Sequence, residues 1–127
     1  MLHVLDTTVL IDYLRGRPAV GRVLGLRERG GRPATTAINV EELVRGLRPP
    51  EVGAARRLLE GLIVLPITAD AAWLAGEWRR DHAARGVTLW QADCLVAAVA
   101  ELATGVLVTG NPKDFPMIEA THWPVGL

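Results

Sequence analysis

Four carboxylic acids, Asp6, Glu42, Asp93 and Asp114, are the residues of this sequence whose side chains could do chemistry together. Carboxylates packed side by side repel one another, so one of them would ordinarily take up a proton. A bound Mg²⁺ removes that penalty, because this hard cation prefers oxygen ligands and keeps several waters. One or two such ions can activate a water and stabilise the leaving oxygen in phosphodiester hydrolysis. The four acids therefore predict a site for Mg²⁺, with Mn²⁺ as a substitute, and hydrolytic chemistry there.

Each of these acids also has a purely structural alternative at the start of a helix. Asp6 could cap the helix that follows it. Glu42 lies three residues after Asn39, the spacing of a capping box. Asp93 and Asp114 would interact favourably with the dipole of a helix start. Capping explains each position alone, but it does not explain why all four belong to one edge of the expected sheet.

The other common hydrolytic nucleophiles are missing or badly placed. The sequence contains no serine, which excludes a Ser-His-Asp mechanism. Cys94 lies in an apolar stretch, and burial raises the pKa of a thiol rather than activating it. His3, His82 and His122 are scattered and lack the spacing of a zinc site, so we expect them to be structural or on the surface.

Short apolar segments alternate with helical ones along the whole chain. The predicted strands are Leu2–Leu5, Ala34–Ile38, Leu62–Leu65 and Val106–Thr109, with Ile118–His122 as a possible fifth. The predicted helices are Thr8–Arg15, Ala19–Arg29, Val40–Leu47, Val52–Glu60, Ala69–Arg85 and Ala92–Ala103, with a short turn near Pro112. Gly30-Gly31 with Pro33 is expected to break the chain. The alternation predicts one α/β domain over residues 1–127, with a mostly parallel sheet of four to five strands.

This architecture places the four acids on one edge of the sheet. Asp6 directly follows the first strand, and Glu42 is expected in the first turn of the helix after the second strand. Asp93 opens the helix before the fourth strand, and Asp114 follows that strand. Ligands of such folds bind at the carboxyl edge of the strands. If the first, second and fourth strands are neighbours, the four side chains can converge.

Composition sets looser bounds on compartment and partners. Half of the 127 residues are hydrophobic and the net charge is zero. Without the four acids, however, 14 basic residues face 10 acidic ones, and ten of the 13 arginines precede residue 60. Arginine suits phosphate, although solvated faces explain the same composition. No apolar run is long enough to span a membrane, no secretory signal is visible, and the single cysteine agrees with a cytoplasmic protein.

Four motifs in order carry a family resemblance over nearly the whole chain. They begin with Leu5-Asp6-Thr7-Thr8-Val9-Leu10-Ile11-Asp12-Tyr13-Leu14-Arg15-Gly16 and continue with Glu42-Leu43-Val44-Arg45-Gly46, Asp93-Cys94-Leu95-Val96-Ala97-Ala98 and Thr109-Gly110-Asn111-Pro112-Lys113-Asp114-Phe115. Together they resemble those of PIN-domain ribonucleases, specifically the VapC-like toxins of type II toxin–antitoxin pairs.

The resemblance implies unequal roles for the residues of the site. Asp6 and Asp93 would be the direct metal ligands, whereas Glu42, rather than Glu41, and Asp114 would complete the acidic pocket. Thr7 would orient Asp6, and Asn111 would lie beside the site. The implied fold is a three-layer α/β/α PIN-like domain with the first, second and fourth strands adjacent. The implied partners are an RNA substrate, a cognate antitoxin and a second copy of the chain in a homodimer.

Four residues depart from the family pattern or fall near the site. Thr8 stands where the family often has Asn or Ser, and Gly110 replaces a frequent Arg, which would weaken RNA contact locally. Asp12 falls inside the first helix and is expected to be structural. Trp90, just before the third motif, could line an RNA groove, but core packing is the expectation.

Two other functions are compatible with an acidic edge. A haloacid-type phosphatase would need a second Asp two residues after the first, where this chain has Thr8. A receiver domain would need an Asp after the third strand and a paired Lys, but that strand ends in Leu65-Pro66 and Lys113 is the single lysine. The non-enzymatic alternative is a catalytically silent domain that binds RNA or a protein partner.

Overall fold

A parallel β-sheet forms the middle of the molecule in a computed structural model that describes residues 1–126. Along the chain the elements are β1 (Leu2–Leu5), α1 (Thr7–Leu14), α2 (Ala19–Glu28), β2 (Arg32–Thr36), α3 (Ala37–Arg45), α4 (Val52–Glu60), β3 (Ile63–Leu65), α5 (Ala69–Ala83), α6 (Gln91–Leu102), β4 (Val106–Thr109) and β5 (Ala120–His122), with 3-10 turns at Pro49–Glu51 and Pro112–Asp114. The strand order is β3-β2-β1-β4-β5, and every neighbouring pair is parallel. The predicted α/β fold is confirmed, and its possible fifth strand is present.

Helices cover both faces of the sheet, so its central strands are buried on both sides. Side chains alternate along a strand, so Leu5 and Val108 face one layer while Val4 and Leu107 face the other. The first pair packs in a hydrophobic cluster with residues of α1, α2, α3 and α4. The second pair packs against α6 and Phe115. The implied three-layer α/β/α arrangement is therefore confirmed.

Strand β1 lies between β2 and β4, the order that the family resemblance implies. His3 pairs with Pro33 of β2 on one side and with Val106 of β4 on the other. The strands that follow β1 in the chain are added first on one side of it, as β2 and β3, and then on the other, as β4 and β5. The carboxyl end of β1 is therefore the switch point at which such folds bind ligands. Asp6 stands directly at this point.

The segment around the second strand is displaced from its prediction. The strand was predicted at Ala34–Ile38 and the helix at Val40–Leu47, but both lie a few residues earlier. The reason is Thr36, whose hydroxyl accepts a hydrogen bond from Asn39 N and so begins the helix at Ala37. Asn39 is therefore a residue of the first turn and not the cap.

Pro33 lies within β2 rather than in the preceding break. A proline is tolerated in a strand where no ladder hydrogen bond is lost. Pairing of β2 with β3 starts only at Ala34, so at Pro33 the strand has β1 as its single neighbour. The expected break is confined to the turn before Gly31, whose amide donates to Leu26 O.

Helix α6 is buried on most of its surface, as its apolar sequence predicts. Six of its residues, Cys94, Val96, Ala97, Ala98, Val99 and Ala100, are buried. It packs against α5, with Ala71 and Ala75 of that helix also buried at the contact. Among the helices of residues 1–126, none combines the length and the apolar content that a membrane crossing requires.

Candidate active site

Asp6 is held rigidly where β1 ends and α1 begins. Its side chain is only 6% exposed. Thr109 Oγ1 donates to its Oδ2 at 2.6 Å, and Thr8 Oγ1 donates to its Oδ1 at 2.5 Å. Val9 N donates to the same Oδ1, so Asp6 is also the N-cap of α1. Burial raises the pKa of the Asp6 carboxyl, while the hydrogen bonds from Thr109 and Thr8 act to lower it.

A buried chain of hydrogen bonds positions Glu42. Thr7 Oγ1 donates to Glu42 Oε1 at 2.7 Å and accepts from Asn39 Nδ2 at 3.0 Å. Asn39 is 1% exposed and is fixed in turn by Thr36, whose hydroxyl donates to Asn39 Oδ1 at 2.8 Å. The neighbouring Glu41 is on the exposed side of α3 and pairs with Arg45 at 2.9 Å. Glu42 is thus the acid of this pair that turns towards the other carboxylates, and it lies in the second turn of α3 rather than the first.

Asp93 is the acid whose pKa responds to the charges of the other three. Asp93 is half-buried in the first turn of α6. Its pKa is raised to about 6, most by burial and then by the negative charges of Asp114, Glu42 and Asp6, in that order. The three other acids are therefore close enough to Asp93 for their fields to disfavour its ionised form.

Asp114 closes the site from the exposed side. It is the last residue of the 3-10 turn after β4, and its amide donates to Asn111 O at 3.1 Å. Asn111 is also exposed, and its backbone N–H donates to Thr109 Oγ1, the hydroxyl that holds Asp6. The backbone after β4 is thereby tied to the centre of the site.

Gly110 has no room for the arginine that the family often carries there. A Cβ at this position would lie 2.7 Å from Val125 Cγ2 and 3.1 Å from Thr8 Oγ1. The Gly110 amide also donates to Thr8 Oγ1 at 2.9 Å. The glycine is therefore explained by close packing of the C-terminal segment onto the site.

The donors present fit a hard divalent cation. They are carboxylate oxygens, with hydroxyls behind them, and the histidines take no part. Within residues 1–126, no three carboxylate, histidine or cysteine side chains form a preformed metal cage. Mg²⁺ is commonly held by one or two carboxylates together with waters and substrate phosphate oxygens.

Several supporting residues differ from the sequence-based expectation. Thr7 was expected to orient Asp6, but its hydroxyl holds Glu42. The hydroxyls on Asp6 come instead from Thr8 and Thr109. No role was predicted for Thr109, and Asn39 was considered only as a helix cap. Both are buried polar residues, and such residues need hydrogen-bond partners, but their burial is visible only in the folded chain.

Three other predictions are decided by burial. Cys94 is fully buried and its pKa is raised by that burial, so its structural role is confirmed. Asp12 is 2% exposed and accepts from Ala19 N and Gly126 N, which also confirms a structural role. The expectation that Trp90 packs in the core is wrong, because its side chain is 73% exposed.

Comparisons with known proteins agree with this geometry. Residues 3–119 match the family described as PIN domain. Ribonuclease VapC10 of Mycobacterium tuberculosis is 33% identical over 121 residues, which cover 95% of this chain and 91% of that protein.

Two solved structures share the fold. A VapBC2 structure from Rickettsia felis, bound to a DNA fragment from the promoter, superposes with a TM-score of 0.84 at 22% identity, covering 97% of this chain and 99% of that one. A toxin–antitoxin complex from Klebsiella pneumoniae superposes with a TM-score of 0.77 at 25% identity, covering 98% and 99%.

Proposed function

The chain belongs to the PIN-domain family and, within it, to the VapC ribonucleases, and we propose that it is a Mg²⁺-dependent endoribonuclease whose active site is Asp6, Glu42, Asp93 and Asp114. The observation that carries the proposal is the strand order, which brings the ends of β1, β2 and β4, and with them these acids, to one edge of the sheet. The pKa of Asp93, which the negative charges of the three other acids raise, supports it. Such mutual repulsion is relieved by a cation, and the oxygen-only donors match Mg²⁺ or Mn²⁺.

The roles of the acids are those that the family resemblance implies, with Asp6 and Asp93 as the metal ligands. The hydroxyls of Thr8 and Thr109 fix the orientation of Asp6, and a cation would offset the repulsion at Asp93. Glu42 and Asp114 complete the pocket, either as ligands or through waters, with Asn111 beside them. When bound, the cation would activate a water and stabilise charge on the phosphodiester of the RNA. The hydroxyl of Thr7 keeps Glu42 directed at that position.

The biological role that we propose is that of the toxin of a toxin–antitoxin pair. The support is the likeness to VapC10 and to the Klebsiella pneumoniae toxin–antitoxin complex. The proposed partners are a cognate antitoxin that blocks the activity and a second copy of the chain in a homodimer. Growth arrest on induced expression of the wild type, and its absence with Asp6→Asn, would support this role. Normal growth with the wild type would contradict it.

The enzymatic proposal is tested by cleavage of RNA with purified protein freed of any antitoxin. The wild type should cleave with Mg²⁺ or Mn²⁺, and EDTA should stop the reaction. Asp6→Asn should lower the rate at least about a hundredfold, because loss of a metal ligand exceeds the 10–100-fold effect of its supporting partners. The fold should survive, since the substitution removes a buried charge and keeps the shape.

A neighbouring pair of glutamates provides the control. Glu42→Gln should lose most of the activity, whereas Glu41→Gln, on the exposed face with Arg45, should retain it. Undiminished cleavage by Asp6→Asn would disprove the mechanism. A protein that binds RNA but never turns it over would instead be a catalytically silent PIN-like domain.

A further inference from the structure

An exposed tryptophan stands next to the acidic site. Trp90 immediately precedes α6, three residues before Asp93, and its side chain is 73% exposed. The N-cap and third residues of a helix are neighbours in space, as the capping box illustrates. Trp90 and Asp93 therefore belong to the same turn at the start of α6.

Stability of the fold does not explain a tryptophan at this position. An N-cap is normally Ser, Thr, Asp or Asn, whose side-chain oxygen accepts an otherwise unpaired backbone N–H. The indole ring has a hydrogen-bond donor but no acceptor, and Trp90 makes no side-chain capping bond. The side chain neither caps the helix nor buries its rings, so its aromatic faces are available to a ligand.

The backbone that carries Trp90 is fixed at several points. Leu89 is 6% exposed and packs in the cluster between α5 and α6. Arg79 Nε donates to Leu89 O at 3.2 Å, and Cys94 N donates to Trp90 O at 3.1 Å. The indole is thus presented to solvent from a rigid support, with the Arg79 guanidinium close by.

We propose that Trp90 is a stacking platform for a nucleobase of single-stranded RNA adjacent to the cleaved phosphodiester. This inference rests on the proposed ribonuclease function. Proteins that bind single strands combine positive charge for the backbone with aromatic faces for the bases, and unpaired RNA bases commonly stack on aromatic side chains. A cation held by Asp93 would contact the phosphate, and Arg79 would supply further positive charge. The indole would stack on a base of the same RNA strand.

The matched control is the other strongly exposed tryptophan, Trp73, which is 74% exposed. It belongs to the second turn of α5. The start of α5 lies at the end of α6 distant from Asp93, because Thr68 and Ala71 line a cleft with Val99 and Leu102. Trp73 thus has the same chemistry and exposure without proximity to the site.

The binding experiment uses the full chain carrying Asp6→Asn, so that RNA is not consumed. The probe is a short oligoadenosine RNA with a single 2-aminopurine, whose fluorescence is quenched on stacking. Adding Trp90→Ser should weaken binding roughly 5- to 150-fold and abolish the quench, because that is the affinity that one base–aromatic stack contributes. Trp90→Phe should retain both, and Trp73→Ser should change neither.

Kinetics in the chain with Asp6 intact separate this role from a structural one. Trp90→Ser should raise KM with little change in kcat, and its melting temperature should not fall, because serine supplies the absent cap. Unchanged KM and RNA affinity in Trp90→Ser would overturn the inference and leave the ribonuclease proposal intact. A loss of self-association on sedimentation would overturn it too, by assigning Trp90 to a subunit contact. A wild type without cleavage would contradict the proposed function, while the binding experiment would still decide the stacking.

Discussion

At the scale of single residues, the two central acids of the site differ in what surrounds them. The Asp6 carboxylate accepts hydrogen bonds from two threonine hydroxyls and an amide, which offset part of the effect of burial. At Asp93 the pKa is raised by burial and by three negative neighbours together. Binding of the proposed cation should therefore change the charge state of Asp93 most.

The raised pKa of Asp93 predicts an unusual dependence of stability on pH. An acid with a higher pKa in the folded than in the unfolded chain binds more protons when folded, so stability rises as pH falls through about 6 towards the ordinary 3.8. We expect the metal-free protein to melt at a higher temperature near pH 5 than near pH 7.5, measured by calorimetry in EDTA.

Asp93→Asn should raise the melting temperature at neutral pH and remove most of this difference. The control is Asp81→Asn, an exposed acid that pairs with Arg80, which should keep the pH dependence of the wild type. If Asp93→Asn kept that dependence in full, the assignment of the effect to this carboxyl would be wrong.

At the scale of elements, the start of α1, the end of β4 and the C-terminal segment are tied together around the site. The Gly110 amide donates to Thr8 Oγ1, Trp123 N donates to Thr109 O, and Arg22 Nη1 donates to Pro124 O. These bonds join three parts of the chain that are far apart in sequence. At Gly110 the packing leaves no space for a side chain, because an added Cβ would lie 2.7 Å from Val125 Cγ2.

Gly110→Ala should therefore destabilise the protein by about 1–3 kcal/mol, because the added methyl must displace Val125 or Thr8 from a packed position. Urea denaturation measures the change, and RNA cleavage should weaken with it as Thr8 is moved against Asp6.

The control is Gly76→Ala in α5, where an added Cβ meets nothing within 4 Å. That substitution should stabilise by roughly 0.5–1 kcal/mol, since alanine is the better helix former. Equal effects of the two substitutions would show that Gly110 is not sterically required.

At the scale of the whole molecule, two helical layers and a parallel sheet bring together acids that are more than a hundred residues apart. The sheet order places the ends of β1, β2 and β4 side by side, and α6 adds Asp93 from the other layer. The folded chain carries their mutual repulsion when no cation is bound. Binding of a cation should therefore act on global stability.

Saturating Mg²⁺ should raise the melting temperature of the wild type relative to EDTA. A ligand at about 100 times its Kd stabilises the native state by about 2.7 kcal/mol when it does not bind the unfolded chain. Thermal denaturation at several Mg²⁺ concentrations measures the effect. Asp6→Asn should respond much less, and an equal rise in both proteins would place the cation elsewhere.

Local patterns in the sequence were enough to predict the fold class and to single out the acids, although the choice of Glu42 over Glu41 came from the resemblance to the family. Apolar segments of strand length alternate with helical ones, which predicted the parallel sheet and the edge to which Asp6, Glu42, Asp93 and Asp114 belong. The order of β2, β1 and β4 came from resemblance to the family rather than from periodicity, and the structure confirms it. Element boundaries were less accurate where capping decided them, as Thr36 did for α3.

The hydrogen-bond partners of the acids, and the exposure of residues beside them such as Trp90, became visible only in the folded chain. Thr109 donates to Asp6 across 103 residues, and Thr7 donates to Glu42 across 35. Sequence spacing carries no information about such partners, because they meet only after the strands pair in register. The exposure of Trp90 has the same origin, because it depends on whether α5 and the residues of the site cover that part of the surface. In the sequence, an apolar residue next to a motif is compatible with burial and with exposure alike.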